Sequence, residues 1–496
     1  LFSSFGETER AQTPPRGWNS YDSFTWIISE EEFVQNARNV AQKLLPYGYE
    51  YVVVDYLWYR RKTEGAYADS RGLDVIDEWG RVIPDPKRWP SSKSNKGFYQ
   101  VADEIHRMGL KFGIHVMRGI STQAFDANTP ILDVKTGQAY EESGRKWYAK
   151  DVGIPDKVCR WMKNGFMSVN TTLGAGRAFL RSLYHQYHDW GIDFVKHDCV
   201  FGADLNLAEI TFVSQVLGEL ERPILYSLSP GSGVTSNMAK QVNGLVNMYR
   251  ITDDDWDSWT DILGHVDITR KLGDANMIGA RGLKGKSWPD SDMLPLGFLT
   301  DQGSNTGPYR KSNLTVNEQR FQQMTMWSML KSPLMFGGDM RRLDESTFRL
   351  LSNPTLLEIN SFSSNNKWAC MLSTYFIFVF SKHGEFFNML DDVKLGFTDC
   401  NDAESRGWSV KAVEDDLEKV CWKGGSDTEQ KEQFCLYKRM GEERIHKLQL
   451  LETSVTNSCL VASPNKKLDS EHTKRGWFSP CKSDLNQMWE LTENGT

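Results

Sequence analysis

The chain has 496 residues, enough for two or three domains, and 40% of them are hydrophobic, which suits a well-packed globular protein. A formal net charge of -7 and the lack of a dense basic stretch argue against nucleic-acid binding, which needs clustered positive charge. The most apolar run, residues 371–380, falls short of the roughly 20 residues that cross a bilayer, so we expect a buried strand there and no membrane partner.

Short apolar segments alternate with longer amphipathic ones from about residue 15 to residue 360. Ser29 and Glu32 form a capping-box pattern, and apolar residues at helical spacing follow it. Alternating strands and helices predict a parallel sheet, and eight such units predict a closed (β/α)8 TIM barrel over residues 14–360. A doubly wound sheet is the competing architecture, but no glycine-rich phosphate loop opens a first helix. The eight strands are predicted near residues 16–21, 51–55, 111–116, 193–198, 223–228, 246–250, 276–279 and 333–337.

A long connection, about residues 119–174, separates the third and fourth predicted strands. Loops of that length are usually functional or disordered. Because this one holds Trp147, Cys159 and Trp161, we expect it to form an ordered wall of a site. Cys199 directly follows the fourth predicted strand, and a disulfide between Cys159 and Cys199 is favoured over a free thiol.

Beyond residue 361 the alternation of strands and helices is lost, and residues 361–496 predict a smaller, incomplete β-rich region. Six of the eight cysteines lie there, which suggests disulfides, an oxidising compartment and therefore a secreted, cell-wall or vacuolar protein. Sequons at Asn170, Asn313 and Asn494 agree with a glycoprotein. The chain begins at Leu1 rather than at a methionine, so we expect its N-terminus to be missing or processed.

Polar residues stand at the ends of the predicted strands, where the active site of a (β/α)8 barrel lies. Lys196 and Asp198 alternate onto the same side of the fourth strand, where the ammonium would keep the carboxylate ionised. Hydrolysis of a glycoside with retention takes two carboxyl groups about 5 Å apart, one as nucleophile and one as acid/base. Spacing alone leaves Asp253, Asp254 and Asp255 open as the second carboxyl group. No Cys/His cluster has zinc-site spacing, and we expect neither a metal nor another cofactor.

The order of several segments resembles glycoside hydrolase family 27, the α-galactosidase family. The matching segments are PRGWNS at residues 15–20, GYEYV at 48–52, GRVIPDP at 80–86, GLKFGI at 109–114, Lys196-x-Asp198, Arg250 with Asp254, Asp292-Met293-Leu294, and LLSNP at 350–354. The resemblance implies a retaining exo-glycosidase, with Asp198 as nucleophile and Asp254 as acid/base. It also implies sugar contacts from Tyr21, Asp55, His115, Lys196, Arg250 and Asp292.

The departures from the family pattern bear on the sugar. α-Galactosidases usually carry a second Asp after the one that matches Asp55, whereas here the residue is Tyr56, whose phenol would fill the space of a 6-hydroxymethyl group. β-L-Arabinopyranose is, in effect, galactose without that group. Ser229 stands in the turn where the fifth strand usually supplies a Glu for the 2-hydroxyl, and His115 and Tyr21 replace a usual Tyr and Trp. The chain most resembles a plant branch of the family associated with β-L-arabinopyranosyl as well as α-galactosyl ends.

We therefore expect an α-galactosidase whose substrates are galactosyl-terminated glycans. The alternatives are a β-L-arabinopyranosidase with the same site and mechanism, a transglycosylase with the same intermediate, and a non-catalytic carbohydrate-binding protein. The retained Asp198, Asp254, Lys196 and Arg250 argue against the last of these.

The final segment, about residues 430–496, resembles part of a ricin-type β-trefoil, whose lobes carry a Cys-Leu pair and a Gln-x-Trp. The chain stops at Thr496 inside such a module, so we expect the module to be truncated. A full trefoil would bind carbohydrate, whereas a fragment need not. The pieces that carry this resemblance are Cys435-Leu436, Cys459-Leu460 and Gln487-Met488-Trp489.

Overall fold

The computed structural model describes residues 9–94, 96–315 and 321–362, and beyond them the backbone of nine strands between residues 386 and 490. Two compact units divide the chain, Leu1–Lys367 and Trp368–Thr496. Among these described residues, no helix has both the length and the apolar character needed to cross a bilayer.

Eight parallel strands alternate with helices in the first unit. The strands are β1 (Arg16–Asn19), β2 (Tyr51–Val54), β3 (Lys111–Met117), β4 (Phe194–Phe201), β5 (Leu225–Pro230), β6 (Met248–Arg250), β7 (Gly285–Asp290) and β8 (Leu334–Phe336). The main helices are α1 (Glu30–Lys43), α2 (Tyr99–Arg107), α3 (Gly174–Asp189), α4 (Leu207–Glu219), α5 (Ser236–Val242), α6 (Trp259–Asp274), α7 (Phe321–Leu330), α8 (Glu345–Leu351) and α9 (Pro354–Phe362).

The strands close into a ring. Each strand from β1 to β6 pairs in parallel with the next, and β8 returns to pair with β1. Leu294, just after β7, forms a parallel bridge with Phe336 of β8. The Leu294 N–H donates to the Met335 carbonyl at 2.8 Å, and the Gly337 N–H donates to the Leu294 carbonyl at 3.0 Å. This closure confirms the predicted (β/α)8 barrel.

Packing explains why these segments become strands. All four residues of β2 are buried, because helices cover the outside of a barrel strand while side chains fill its inside. The capping box at the start of α1 is confirmed, since the Ser29 N–H donates to the Glu32 carboxylate at 3.0 Å and the Ser29 hydroxyl accepts from the Glu32 N–H. One buried cluster joins strands around the ring and comprises Tyr51, Val53, Phe194, Leu225, Met248, Met293 and Met335.

The seventh barrel strand lies later than predicted. Residues 276–279 form the turn after α6, in which Asn276 and Gly279 have φ values of 56° and 65°. The barrel strand is β7 instead, and Ala280–Gly282 runs antiparallel to it as a short outer strand. The sequence gives little sign of β7, because Gly285–Asp290 contains no apolar run and includes Pro289, and a proline normally argues against a central strand.

The long connection between β3 and β4 is ordered, as predicted. Trp161 projects from it and is 39% exposed, whereas Trp147 packs under the Arg145 guanidinium, 4.5 Å from its ring centre. Three antiparallel strands build the connection, and they are Ile120–Ser121, Gly153–Val158 and Phe166–Val169.

The second unit consists of antiparallel strands in its described part, in keeping with a β-rich tail. The predicted strand at 371–380, the Gln487 of the trefoil pattern and the Asn494 sequon lie outside the described residues, and the trefoil stays a prediction. One sheet holds seven strands: Trp408–Lys411, Lys419–Gly424, Gln433–Lys438, Ile445–Leu450, Ser458–Ala462, Gly476–Pro480 and Trp489–Glu490. A separate hairpin pairs Phe386–Leu390 with Lys394–Thr398.

Candidate active site

A cavity of 720 Å³ opens at the carboxyl ends of the barrel strands, where barrel enzymes bind their substrates. Ser229, Arg250 and Asp292 are buried and are not part of its wall. The other seven of the ten predicted site residues line it, and they are Tyr21, Asp55, Tyr56, His115, Lys196, Asp198 and Asp254.

Asp198, on β4, is surrounded by hydrogen-bond donors. His115 Nε2 lies 3.0 Å from its Oδ2, and the Trp161 indole N–H donates to its Oδ1 over 3.2 Å. The backbone N–H of Cys199 also donates to Oδ1. Burial would raise the pKa of this carboxyl group, but the hydrogen bond and charge of His115, the charge of Lys196 and the Trp161 bond lower it to about 2. Asp198 is therefore an ionised carboxylate at neutral pH.

The backbone beside Asp198 is irregular. The register of β4 against β5 shifts beyond His197, and Cys199 has a φ of 62°. Such bulges re-aim side chains and are common next to active sites. The predicted disulfide between Cys159 and Cys199 is confirmed, with an S–S distance of 2.03 Å. It ties the wall segment that holds Trp161 to the residue that follows Asp198.

Lys196 pairs with a different carboxylate from the one expected. Its Nζ lies 3.0 Å from Asp55 Oδ2, and Asp198 makes its bonds to His115 and Trp161. Burial raises the pKa of Asp55, but the charges of Lys196 and His115, with hydrogen bonds from the Tyr56 N–H and the Asn19 amide, together outweigh it, and the net shift is downward. Lys196 and Asp198 do share one side of β4, yet the end of β2 brings Asp55 to the ammonium. The sequence pattern could not predict this contact, because it does not report how close the ends of two barrel strands come to each other.

Asp254 lies on the loop after β6 with 38% of its side chain exposed. Arg250 Nη2 donates to its Oδ1 over 3.2 Å, and the Tyr21 hydroxyl lies 3.4 Å from its Oδ2. Of the two neighbours that spacing left open, Asp253 also lines the cavity, whereas Asp255 is buried. Asp253 accepts a hydrogen bond from Ser232.

Asp255 is fully buried, unlike Asp254. Its backbone N–H donates to Asp292 Oδ2 over 2.8 Å, and its carboxyl lies 3.6 Å from His265 Nε2. Burial, followed by the charge of Asp292, raises the pKa of Asp255 well above its usual range. Of the three carboxyl groups, Asp254 alone combines a place on the cavity wall with contacts to Arg250 and Tyr21.

Arg250 and Asp292 form a buried support behind the cavity. Arg250 Nη1 lies 2.9 Å from Asp292 Oδ1, so one guanidinium joins Asp292 to Asp254. Burial lowers the pKa of Arg250. The charges of Asp292, Asp254 and Asp290 together outweigh burial, so the net shift of the pKa is upward. Ser229 is also buried, and the peptide bond between it and Pro230 is cis. Pro230 itself lines the cavity.

Tyr56 fills part of the cavity next to Asp55. Its ring centre lies 5.5 Å from that of Tyr21, 6.1 Å from that of His115 and 5.8 Å from that of Trp161. Only 6% of the residue is exposed, and burial raises its pKa, so the phenol stays neutral. A bulky aromatic ring therefore occupies space that a shorter side chain would leave to the ligand.

Sequence reasoning missed two aspects of the site. Trp256 lines the cavity with its ring centre 5.5 Å from that of Tyr21, and only its aromatic character after an acidic run could have marked it. Asp22 is a fully buried carboxyl group whose oxygens have no hydrogen-bond partner among the described residues. Burial, then the charge of Asp292, raises the pKa of Asp22 well above its usual range, so it is a neutral acid. Nothing in its sequence context distinguishes it from a surface helix cap.

The chemistry available in this cavity is that of carboxylates, hydroxyls and cations. Within residues 9–94, 96–315 and 321–362, no group of three Cys, His, Asp or Glu side chains is placed to hold a metal ion. The arrangement offers one ionised carboxylate, one partly exposed carboxyl group and a wall of aromatic rings.

Comparisons with known proteins agree with this geometry. The family described as α-galactosidase A matches residues 177–362. An α-galactosidase of Schizosaccharomyces pombe is 23% identical over 370 residues, which are 70% of this chain and 66% of that protein. α-Galactosidase 3 of Arabidopsis thaliana is 26% identical over 353 residues, which are 71% of this chain and 60% of that protein.

A solved structure decides the family. The β-L-arabinopyranosidase of glycoside hydrolase family 27 from Geobacillus stearothermophilus is 30% identical, covers 95% of this chain and 94% of its own, and superposes with a TM-score of 0.64. This chain belongs to glycoside hydrolase family 27. As a family 27 member it is a glycosidase, and its substrate is a carbohydrate.

Proposed function

We propose that this family 27 enzyme removes terminal α-D-galactosyl residues with retention of configuration. Asp198 is the proposed nucleophile and Asp254 the proposed acid/base. The observation that carries the proposal is a buried, ionised Asp198 that shares one cavity with a partly exposed Asp254. The S. pombe and Arabidopsis relatives, both named α-galactosidases, support the choice of sugar.

The proposed reaction is a double displacement. A carboxylate oxygen of Asp198 attacks the anomeric carbon while the Asp254 carboxyl group gives its proton to the departing glycosidic oxygen. The resulting ester between Asp198 and the sugar is attacked by water, which Asp254 deprotonates. The C–O bond to Asp198 breaks, and the sugar leaves with its original anomeric configuration.

The neighbours of these two residues suit their roles. The donors from His115 and Trp161 keep Asp198 ionised before attack. We propose sugar contacts for Tyr21, Asp55, His115 and Lys196, whose side chains line the cavity. Arg250 and Asp292 are proposed to act from behind by holding Asp254.

A second candidate is hydrolysis of terminal β-L-arabinopyranosyl residues by the same steps. Tyr56 favours it, because its ring occupies cavity space beside Asp55 where the family's α-galactosidases usually carry a shorter Asp. The solved Geobacillus relative, which is named a β-L-arabinopyranosidase, favours it too.

Parallel assays of p-nitrophenyl α-D-galactopyranoside and p-nitrophenyl β-L-arabinopyranoside distinguish the two candidates. A higher kcat/KM for the galactoside supports the first candidate, and a higher value for the arabinoside supports the second. Asp198→Asn is expected to abolish turnover of both while the circular dichroism spectrum stays unchanged. A folded wild-type protein that binds galactose but cleaves neither substrate would refute both candidates and favour a carbohydrate-binding protein.

A transglycosylase would follow the same first displacement. It differs in the second step, where a sugar hydroxyl replaces water as the acceptor. Product analysis with added galactose or lactose separates the two, because a transglycosylase then yields a longer saccharide rather than free galactose.

We also propose that the enzyme works in an oxidising compartment, either outside the cell or in a vacuole. The disulfide between Cys159 and Cys199 supports this location, because cytosolic thiols are kept reduced. Asn313 is exposed and is the better placed of the two described sequons for a glycan.

A further inference from the structure

A buried carboxylate lies behind the strand that carries Asp198. Glu209 on α4 and His197 on β4 are both fully buried, and His197 Nε2 lies 3.3 Å from Glu209 Oε1. Neither residue lines the catalytic cavity, and the proposed reaction uses neither of them. Burying a carboxylate costs free energy unless polar partners compensate it, so the partners of Glu209 indicate what this carboxylate holds in place.

His197 is held at both of its ring nitrogens. A carboxylate only accepts hydrogen bonds, so the contact with Glu209 favours a proton on Nε2. The hydroxyls of Tyr226 and Tyr184 lie 2.9 Å and 3.3 Å from Nδ1. Burial raises the pKa of both tyrosines well above the usual range, so both phenols are neutral. An imidazole fixed in this way also fixes the backbone that directly precedes Asp198.

The same carboxylate holds the chain just beyond β3. The Gly119 N–H, two residues past the end of that strand, donates to Glu209 Oε1. Gly119 has a φ of 49°, and a Cβ there would lie 2.1 Å from the Met167 carbonyl oxygen. The backbone at Gly119 is therefore packed tightly against the wall segment as well. Because β3 carries His115, one oxygen of Glu209 contacts both the strand of His115 and the strand of Asp198.

The second oxygen of Glu209 is linked to β4 on the other side of Asp198. Asn206 Nδ2 donates to Glu209 Oε2 over 2.8 Å, and the Asn206 N–H donates to the Val200 carbonyl over 2.9 Å. Val200 lies two residues after Asp198. Glu209 is thus connected to β4 before Asp198, at His197, and after it, at Val200.

The contact between His115 and Asp198 depends on how these strand ends are placed. In the register of β3 against β4, His115 faces Lys196 and Met117 faces Asp198. The 3.0 Å contact from His115 Nε2 to Asp198 Oδ2 is therefore diagonal. We propose that Glu209 is a positioning residue, which keeps His115 within hydrogen-bond distance of Asp198 by holding both strands at their carboxyl ends. This role rests on the proposed function, in which Asp198 is the nucleophile.

A charge effect and a positioning effect of Glu209 on Asp198 have opposite signs. Loss of a nearby negative charge alone would lower the pKa of Asp198. Loss of the hydrogen bond from His115 would raise it, because that bond favours the ionised form. The titratable groups that interact electrostatically with Asp198 are His115 of β3, Lys196 of β4, Asp204 after β4 and Tyr59 after β2. Those around Glu209 are His197, Tyr184 and Tyr226.

The pH dependence of kcat/KM for the better p-nitrophenyl glycoside tests this role, since its acid limb reports the ionisation of Asp198 in the free enzyme. Glu209→Gln keeps the shape of the side chain but replaces one accepting oxygen by an amide that only donates. The acid limb is expected to move up by about one pH unit, as partial loss of one hydrogen bond to a charged group predicts. In the His115→Phe background the same substitution should give no upward shift, because the donor that Glu209 positions is gone.

Asp193→Asn is the matched control. Asp193 precedes β4 and is 9% exposed, and its Oδ2 accepts a hydrogen bond from the Phe112 N–H of β3 over 2.8 Å. It therefore joins the same two strands at their amino ends, and its loss should leave the acid limb in place. Far-ultraviolet circular dichroism at each pH shows whether a variant is folded. If Glu209→Gln does not fold, Tyr226→Phe takes its place, because it removes a hydroxyl from His197 and should shift the limb in the same direction.

Three results would overturn the positioning role. The first is an acid limb of the folded Glu209→Gln enzyme, or of Tyr226→Phe in its place, that stays in position or moves down. The second is an upward shift that persists in the His115→Phe background. The third is an equal shift in Asp193→Asn, which would mean that any weakening between these two strands moves the limb.

The positioning role and the proposed function fail in different ways. Calorimetric titration with a galactose-configured iminosugar follows the same ionisation without turnover, because its ammonium group pairs with an ionised carboxylate. A wild-type protein that cleaves no glycoside, yet binds the iminosugar with an acid limb that depends on Glu209, would refute the proposed function and leave the positioning role standing. Normal cleavage of the aryl glycosides, with an acid limb that is independent of Glu209, would do the reverse.

Discussion

Among the groups that lower the pKa of Asp198 against the effect of burial, His115 has the largest effect. In the wild-type enzyme, His115 Nε2 lies 3.0 Å from Asp198 Oδ2, and the pKa of Asp198 is about 2. His115→Phe keeps an aromatic ring in the cavity wall and removes the donor. The remaining donors are the Trp161 indole and the Cys199 backbone N–H.

The size of the effect follows from the lost hydrogen bond. A hydrogen bond to a charged group contributes about 1.5–3 kcal/mol, and one pKa unit corresponds to about 1.4 kcal/mol, so the pKa of Asp198 should rise by about 1–2 units. The nucleophile must be ionised, so activity is lost as the pH falls through its pKa. The higher pKa of the variant therefore moves this acid limb upward, while Asp198 stays ionised at neutral pH.

The assay is the pH dependence of kcat/KM for the better p-nitrophenyl glycoside, since its acid limb reports the free enzyme. His185→Phe on α3 is the control, because this histidine does not line the catalytic cavity. Far-ultraviolet circular dichroism at each pH separates ionisation from unfolding. An acid limb of His115→Phe that coincides with that of the wild type would refute the idea that His115 keeps Asp198 ionised.

Three further changes test the remaining parts of the site. Tyr56→Asp should open space for a hydroxymethyl group. The ratio of kcat/KM for the α-galactoside to kcat/KM for the β-L-arabinoside should therefore rise by about 10- to 100-fold. An unchanged ratio would mean that Tyr56 only packs in the wall. Asp254→Asn should lower kcat/KM, which reports the first displacement, by about 100- to 10,000-fold for alkyl galactosides, which need a proton on the leaving oxygen, and far less for a 2,4-dinitrophenyl galactoside. Equal losses of kcat/KM on both substrates would contradict an acid role. Replacing both Cys159 and Cys199 by Ser frees the segment that holds Trp161. This double variant should raise KM by a larger factor than it lowers kcat. If KM and kcat are both unchanged, the cavity wall does not need the disulfide.

The sequence was sufficient for the barrel and for the region of its active site. Alternating apolar and amphipathic segments predicted the ring, and the capping box at Ser29 and the disulfide between Cys159 and Cys199 are both confirmed. The seventh strand was misplaced because its residues, Gly285–Asp290, form no apolar run and include Pro289. A strand with little internal signal is defined by its neighbours in the ring, and those are known only when the ring has closed.

The details of the site depend on loop conformation and burial, which the sequence pattern does not report. Spacing could not choose among three successive carboxyl groups. In the structure, Asp255 is buried and Asp253 accepts a hydrogen bond from Ser232. The Lys196 ammonium was expected to act on Asp198 of its own strand; its charge does help to lower the pKa of Asp198, but its direct contact is with Asp55 at the end of β2. The neutral state of Asp22 arises from burial, which a short sequence window does not report.

One junction of the barrel, the seam between β7 and β8, is paired less extensively than the others. β3 and β4 pair at five successive positions. At the seam, Leu294 forms a single bridge to β8, and the Ser291 N–H also donates to the Ser332 hydroxyl over 3.0 Å. Local opening needs to break fewest bonds there, so thermal fluctuations short of global unfolding should begin at this seam. Leu294 lies two residues after Asp292, which holds Arg250 and through it Asp254. Such a fluctuation would displace Asp254, the proposed acid/base, before the rest of the barrel unfolds. Activity would then be lost on warming at a lower temperature than the fold.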